Sequence, residues 1–195
     1  AKVPLTRVWN VLGGFFLFLG GFSYCYYQAT PLAFVPYIIY LLTVFISELY
    51  LKRQNPIQSV AYALLGQLYR ALPMALANYL VFAYEPGSYS HIYILALLVF
   101  IWVNDSFAYL SGMAFGKHKL FERISPKKSW EGFVGGATVS IASSLIFAHF
   151  CPNLSVTAWL GFAAVTVVFG TWGDLFESLV KRTLGVKDPG NMIPG

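Results

Sequence analysis

The chain has 195 residues, of which 57% are hydrophobic, 18% aromatic and only 11% charged, with a formal net charge of +5. Soluble domains carry about 25% charged residues, so a proportion below half of that, with a mean hydropathy of +0.63, excludes an ordinary soluble domain and points to a bilayer. The basic surplus comes without interleaved aromatic and basic residues, so it is read as membrane topology and attraction to anionic lipid headgroups, with no nucleic acid as partner.

A helix needs about 20 apolar residues to cross the hydrocarbon core, and six such runs can be drawn: 8–27, 31–51, 57–84, 91–115, 131–150 and 155–180. The first follows Lys2 and Arg7 and so looks like a signal peptide. It is too long for one, lacks an A-x-A cleavage pattern and is followed by more spans. The third is the least regular, with Arg70 inside it beside Gln67 and Pro73. As one helix it measures about 42 Å at 1.5 Å per residue, longer than a span needs. The proline is expected to kink it, leaving 57–69 at the cytoplasmic interface. The sixth is uncharged from Val156 to Gly170 and ends in TWGDLFESLVKR, residues 171–182. The expected fold is all-α, a polytopic transmembrane helical bundle of about six spans forming a single integral-membrane domain over residues 1–195.

Charge sets the orientation. Every Lys and Arg except Arg70 falls before the first run or after the second, fourth and sixth, whereas the loops QATP, EPGSYSH and CPNLS carry none. Positive loops stay cytoplasmic, so both ends are placed inside the cell. Short loops and the lack of a large soluble extension favour a bacterial inner membrane. Cys25 and Cys151 both fall near the outer face. Sharing a side does not meet the geometry of a disulfide, and they are expected to stay unpaired. The chain has no initiator Met and stops in a loop at Gly195, and so reads as a fragment.

Intramembrane ionisable groups are expensive and mostly mark function. Asp105 lies in WVNDSFAYLSG, about 18 Å from the first inside lysine at helical rise, and Asp174 about 10 Å from its own. They are therefore at similar depths and expected to share one water-filled cavity. Asp174, Glu177, Ser178 and Lys181 lie 3, 4 and 7 residues apart and form one helical stripe; the competing reading is that Asp174 and Glu177 snorkel or pair with Lys181 at a helix end. In GKHKLFERISPKKSWEGFVGG, residues 116–136, Ser125-Pro126 breaks the chain and Ser129 is placed to cap a helix starting at Trp130. Lys127 and Lys128 beside that N-terminus suit phosphate, although a basic loop obeying the positive-inside rule looks the same. Gly112, Gly116, Gly132 and Gly136 form small-xxx-small patterns of close helix packing. After the stripe come Lys181, Arg182, Lys187 and Asp188. Carboxylates among cations are what a metal–nucleotide site needs, since Mg²⁺ takes oxygen ligands plus substrate phosphates. His91, His118 and His149 are read as surface groups.

Three segments resemble one family. Ser178, Lys181, Arg182, Lys187 and Asp188 match the opening S-x-x-K-R-x-x-x-x-K-D of the signature of phosphatidate cytidylyltransferases, or CDP-diacylglycerol synthases. NDSFAYLSGMAFGKHKL, ISPKKSWEGFVGG and GDLFES resemble its D-x-x-A-Y…G-K, S-P-K-K-[ST]-W-E-G and G-D-x-x-E-S segments. The likeness runs in order from 104 to 195; earlier it lies mainly in hydropathy and in NPIQSVAY. It implies an integral membrane enzyme that joins CTP to phosphatidic acid, giving CDP-diacylglycerol and pyrophosphate in phospholipid biosynthesis. By matching position it implies Asp174 as a Mg²⁺ ligand and catalytic group, with Lys181 and Asp188 also catalytic. Ser125, Lys127, Lys128, Ser178, Arg182 and Lys187 would contact the triphosphate or lipid phosphate. Asp105 would line the cavity, and Glu131 would hold a lysine. A second cation and a homodimer are left open. The family pattern continues into H-G-G-x-x-D-R-x-D, which this chain lacks, so whether the segment alone is active also stays open.

Three rival readings fit the same residues. One is a cation-coupled transporter or channel using Asp105, Asp174 and Glu177, although no inverted repeat is visible. Another is a CTP-dependent polyprenol or lipid kinase, which would release CDP instead of pyrophosphate. The third is a non-catalytic relative retained for assembly.

Overall fold

The computed structural model of the protein describes residues 5–51, 54–82 and 88–183. In lipid no water satisfies backbone N–H and C=O groups, and a helix closes all of them within its own segment. Five helices are long and apolar enough to cross a membrane: Val8–Tyr26, Pro31–Tyr50, Ile92–Phe115, Trp130–Phe150 and Val156–Thr183. The protein is an all-α polytopic integral membrane protein. Its chain divides into two compact units, Ala1–Ile94 and Leu95–Gly195.

The first unit holds α1 (Leu5–Tyr26), a 3₁₀ turn at Pro31–Phe34, α2 (Val35–Tyr50), α3 (Pro56–Gly66) and α4 (Leu72–Val81). Helix α1 packs against α2 and α4. At Gly13 an added Cβ would sit 2.4 Å from ring carbons of Tyr40, so only glycine admits that ring. Tyr40, Val44 and Ala63 form a core with Phe16, Tyr37, Leu41 and Val60 packed on it. A polar knot is buried beside them. The Tyr40 hydroxyl donates to Asn10 Oδ1 at 2.9 Å and accepts from Gln67 Nε2 at 3.1 Å, and Gln67 Nε2 also donates to the Asn10 carbonyl at 2.7 Å. Between α3 and α4 the helix widens into a π turn over Gln67–Ala71, just ahead of Pro73. That proline has no N–H to donate and its ring would press on the carbonyl of Tyr69; a wider turn makes room for it. Within that run residues 57–81 are therefore helical but irregular where the sequence places a kink, and neither α3 nor α4 is long enough to span alone.

The second unit holds most of α5 (Ile92–Phe115), then β1 (Lys119–Phe121), β2 (Ser125–Ser129), α6 (Trp130–Phe150) and α7 (Val156–Thr183). Helices α6 and α7 pack together around Phe100, Trp159 and Ala163, each fully buried. The Phe100 ring meets Phe147 and Phe162 edge-on at 5.4 and 5.6 Å, a geometry aromatic pairs favour. Helix α5 meets α6 through small residues. A Cβ at Gly132 would come within 2.7 Å of the Ala108 carbonyl, and one at Gly136 within 2.5 Å of that of Asn104. Ser140 Oγ donates to the Phe100 carbonyl at 2.9 Å, a further tie between the two helices. The close-packing reading of the glycine patterns holds at these positions. Cys25 and Cys151 are both free thiols.

One segment departs from the expected all-helical chain. The stretch read as a basic loop forms an antiparallel hairpin turning at residues 122–124. Lys119 pairs with Ser129 and Phe121 with Ser125, so Leu120 alone lies opposite residues 126–128. Pro126 cannot donate to a ladder and belongs at such an irregularity.

Candidate active site

A cavity of about 490 Å³ opens in the second unit, lined by α5, the hairpin, the start of α6, and α7. Four of the charged residues singled out in the sequence line it together: Asp105 from α5, Lys127 and Lys128 from β2, and Asp174 from α7. Successive residues of a regular strand face opposite ways; the irregular register of β2 lets two consecutive lysines line one hollow. Asn104, Asp105, Ala108, Tyr109, Gly112 and Met113 line it from α5, two adjacent stripes at helical spacing. Ala108, Gly112 and Gly132 stand where α5 closes on the start of α6: a Cβ at Gly112 would already meet Ser129 Oγ at 3.3 Å.

Ser129 builds the end of the cavity where α6 begins. Its Oγ accepts from the Gly132 N–H at 3.1 Å, the cap expected from the sequence, and Ser129 and Gly132 both line the hollow. The helix N-terminus, with its positive dipole end and free N–H groups, thus lies beside Lys127 and Lys128.

Lys128 Nζ forms an ion pair with Asp174 Oδ2. The two side chains are 32% and 55% exposed, so the pair sits in the open part of the cavity. Glu177 does not line the hollow; its Oε1 pairs with Lys181 Nζ at 2.5 Å, one turn along, which is the competing reading given above. Ser178 is half-buried on α7 outside the lining, Arg182 is exposed in its last turn, and Ser125 starts β2 without reaching the cavity. Lys187 and Asp188 lie outside the described residues. Glu131, expected to hold a lysine, takes the backbone N–H of Lys117 and meets His118. Its Oε1 meets His118 Nδ1 at 2.6 Å, and both of its oxygens accept from the His118 N–H at 3.2 Å. This contact ties the first turn of α6 to the start of the hairpin.

Asn104 was not singled out in the sequence. It is only 6% exposed, and its Oδ1 has no hydrogen-bond partner although the residue lines the cavity. Its signal is an amide inside an apolar span next to Asp105. Thr171 also lines the hollow, one turn before Asp174. Among the described residues no group of three or more His, Cys, Asp or Glu gathers for a metal. The cavity itself offers two carboxylates.

These features define a class: an integral membrane protein of packed apolar helices, with carboxylates and lysines drawn to one hollow at a helix N-terminus. Residues 2–195 match the model of the Cytidylyltransferase family, and the chain belongs to that family. It is 42% identical over 107 residues to the phosphatidate cytidylyltransferase of Haemophilus influenzae, covering 52% of this chain and 37% of that protein. It is 43% identical over 116 residues to that of Staphylococcus aureus, covering 59% and 45%. With that of Staphylococcus epidermidis it shares 40% over 142 residues, covering 71% and 49%. The chain spans about half the length, or less, of these curated relatives.

Proposed function

We propose that the protein transfers a cytidylyl group from CTP to phosphatidic acid, releasing pyrophosphate and forming CDP-diacylglycerol in a bacterial inner membrane. The observation that carries this reading is the gathering of Asp105, Asp174, Lys127 and Lys128 around one cavity at the capped start of α6. Relatives named for this activity, all bacterial, support it.

The reaction brings two anions together. A phosphate oxygen of the lipid attacks the α-phosphorus of CTP, a new P–O bond forms, and the bond to the pyrophosphate oxygen breaks. Lys127 and Lys128 offset the charge of the meeting phosphates, and the α6 N-terminus offers N–H groups to the same oxygens. In the free protein Lys128 is satisfied by Asp174. When phosphates enter, Lys128 turns to them and Asp174 is released. The donor set fits Mg²⁺, which takes one or two carboxylates and completes its shell with substrate phosphates and water. Asp174 would hold it, with Asp105 as the second carboxylate of the cavity. Bound Mg²⁺ supplies charge neutralisation at the phosphoryl oxygens. Lys181 and Arg182, at the end of α7, would meet the outer phosphates with Lys187, while Asp188 would add a further acidic group to the site.

Product analysis tests the reading. Membranes containing the protein are given CTP labelled at the α-phosphorus, phosphatidic acid and Mg²⁺. Label in a lipid nucleotide, with pyrophosphate released, is the expected result. Release of CDP with a lipid phosphorylated from the γ-position of CTP would assign a kinase, and no lipid product would remove the enzyme reading.

A further inference from the structure

A second hollow of about 290 Å³ is lined by Phe121, Ile124, Trp172, Leu175, Phe176 and Leu179. Every one of these side chains is apolar. The α7 residues lie at i, i+3, i+4 and i+7, one helix stripe; Thr171 and Asp174, on the neighbouring stripe, line the charged cavity. The hairpin divides in the same way. Leu120, Lys127 and Lys128 line the charged cavity, whereas Phe121 and Ile124 at its turn line the apolar groove. Two elements therefore form walls of both hollows, one lysine-bearing and one greasy.

A water-soluble nucleotide complements only the first. A molecule with a phosphate head joined to a hydrocarbon tail complements both. We infer that the groove between the hairpin turn and α7 receives an acyl chain of the phosphatidic acid whose phosphate lies against Lys127 and Lys128, and that Ile124, Phe176 and Leu179 set chain preference. The inference rests on the proposed function and adds to it a specificity subsite. Its occupant is a substrate tail: the groove's walls are continuous with those of the charged cavity, and that cavity's lysines match a lipid phosphate.

The test compares Ile124→Trp and Leu179→Trp, which fill the groove, with Val165→Trp, which adds at least as much bulk at an exposed α7 position outside it. The full protein is assayed in mixed micelles with CTP and either dioleoyl or dihexanoyl phosphatidic acid at fixed mole fraction. Each methylene kept from apolar contact costs about fourfold in affinity, so loss of only two gives a drop of roughly tenfold or more. The filling variants should lose this in kcat/KM for the dioleoyl lipid, through KM, while turnover of the dihexanoyl lipid stays within about twofold of wild type. Val165→Trp should change neither.

Equal losses for both lipids, or none, would overturn the inference and leave the groove to bulk lipid. A change in oligomeric size without chain discrimination would overturn it in favour of a contact between copies. A second measurement does not depend on turnover: wild-type protein is photolabelled with phosphatidic acid carrying a diazirine in its acyl chain. Adducts at Phe121, Trp172 or Phe176 support the inference, and adducts confined to other surfaces refute it. If wild type converts neither lipid, the proposed function fails, while the adduct map still reads the groove.

Discussion

Lys128 separates a structural ion pair from a functional one. Its ammonium meets Asp174 with 32% of its own side chain and 55% of the aspartate's exposed. Pairs this open contribute about 0.2–1 kcal/mol to stability. If the pair only braced the hairpin against α7, Lys128→Met would cost less than about 1 kcal/mol and activity would barely change. If instead Lys128 meets phosphate charge as it builds during transfer, its loss resembles the removal of one preorganised donor, about 10²–10³ in kcat or roughly 3–4 kcal/mol of barrier. The two magnitudes differ enough to be told apart. Thermal unfolding in detergent should show nearly wild-type stability for Lys128→Met. Cytidylyl transfer with labelled CTP and phosphatidic acid should fall at least about a hundredfold. Strong destabilisation with a proportionate loss of activity, or unchanged turnover, would make the pair a structural brace only.

Three further predictions test the frame around the cavity. Gly136→Ala would force a Cβ to within 2.5 Å of the Asn104 carbonyl; overpacking of this kind costs about 1–3 kcal/mol and should appear as a lowered unfolding midpoint in detergent. Ser129→Ala removes the α6 cap at Gly132 and should cost about 1 kcal/mol, with Ser129→Thr restoring most of it in the same melt. Gln67→Leu deletes the Nε2 donor shared by Asn10 and Tyr40. It should destabilise the protein by about 1–3 kcal/mol while KM for CTP stays near wild type.

The hydrophobic runs foretold the helices because length and missing charge are one-dimensional properties. Helical rise likewise placed Asp105 and Asp174 at related depths, and the structure brings both to one cavity. Depth does not fix which way a helix is rotated, however. The stripe of Asp174, Glu177, Ser178 and Lys181 reads as one face in sequence, yet only Asp174 reaches the hollow, and Glu177 closes on Lys181. The hairpin was illegible for a clear reason. Ser125-Pro126-Lys127-Lys128 has low strand propensity, and its pairing depends on a partner segment and on a register irregularity that no local pattern announces. Glu131 shows the same limit: its partner, His118, is brought near only when the hairpin folds back. The π turn was half legible, since Pro73 predicts a disturbance but not that a wider turn takes it up.

If phosphates meet over the carboxylate of Asp174, turnover depends on that charge. The direct measurement is the rate of CDP-diacylglycerol formation by Asp174→Asn in membranes, with the inserted amount matched to wild type by immunoblot. No product above background is expected at equal insertion. Turnover at the wild-type rate would contradict that dependence.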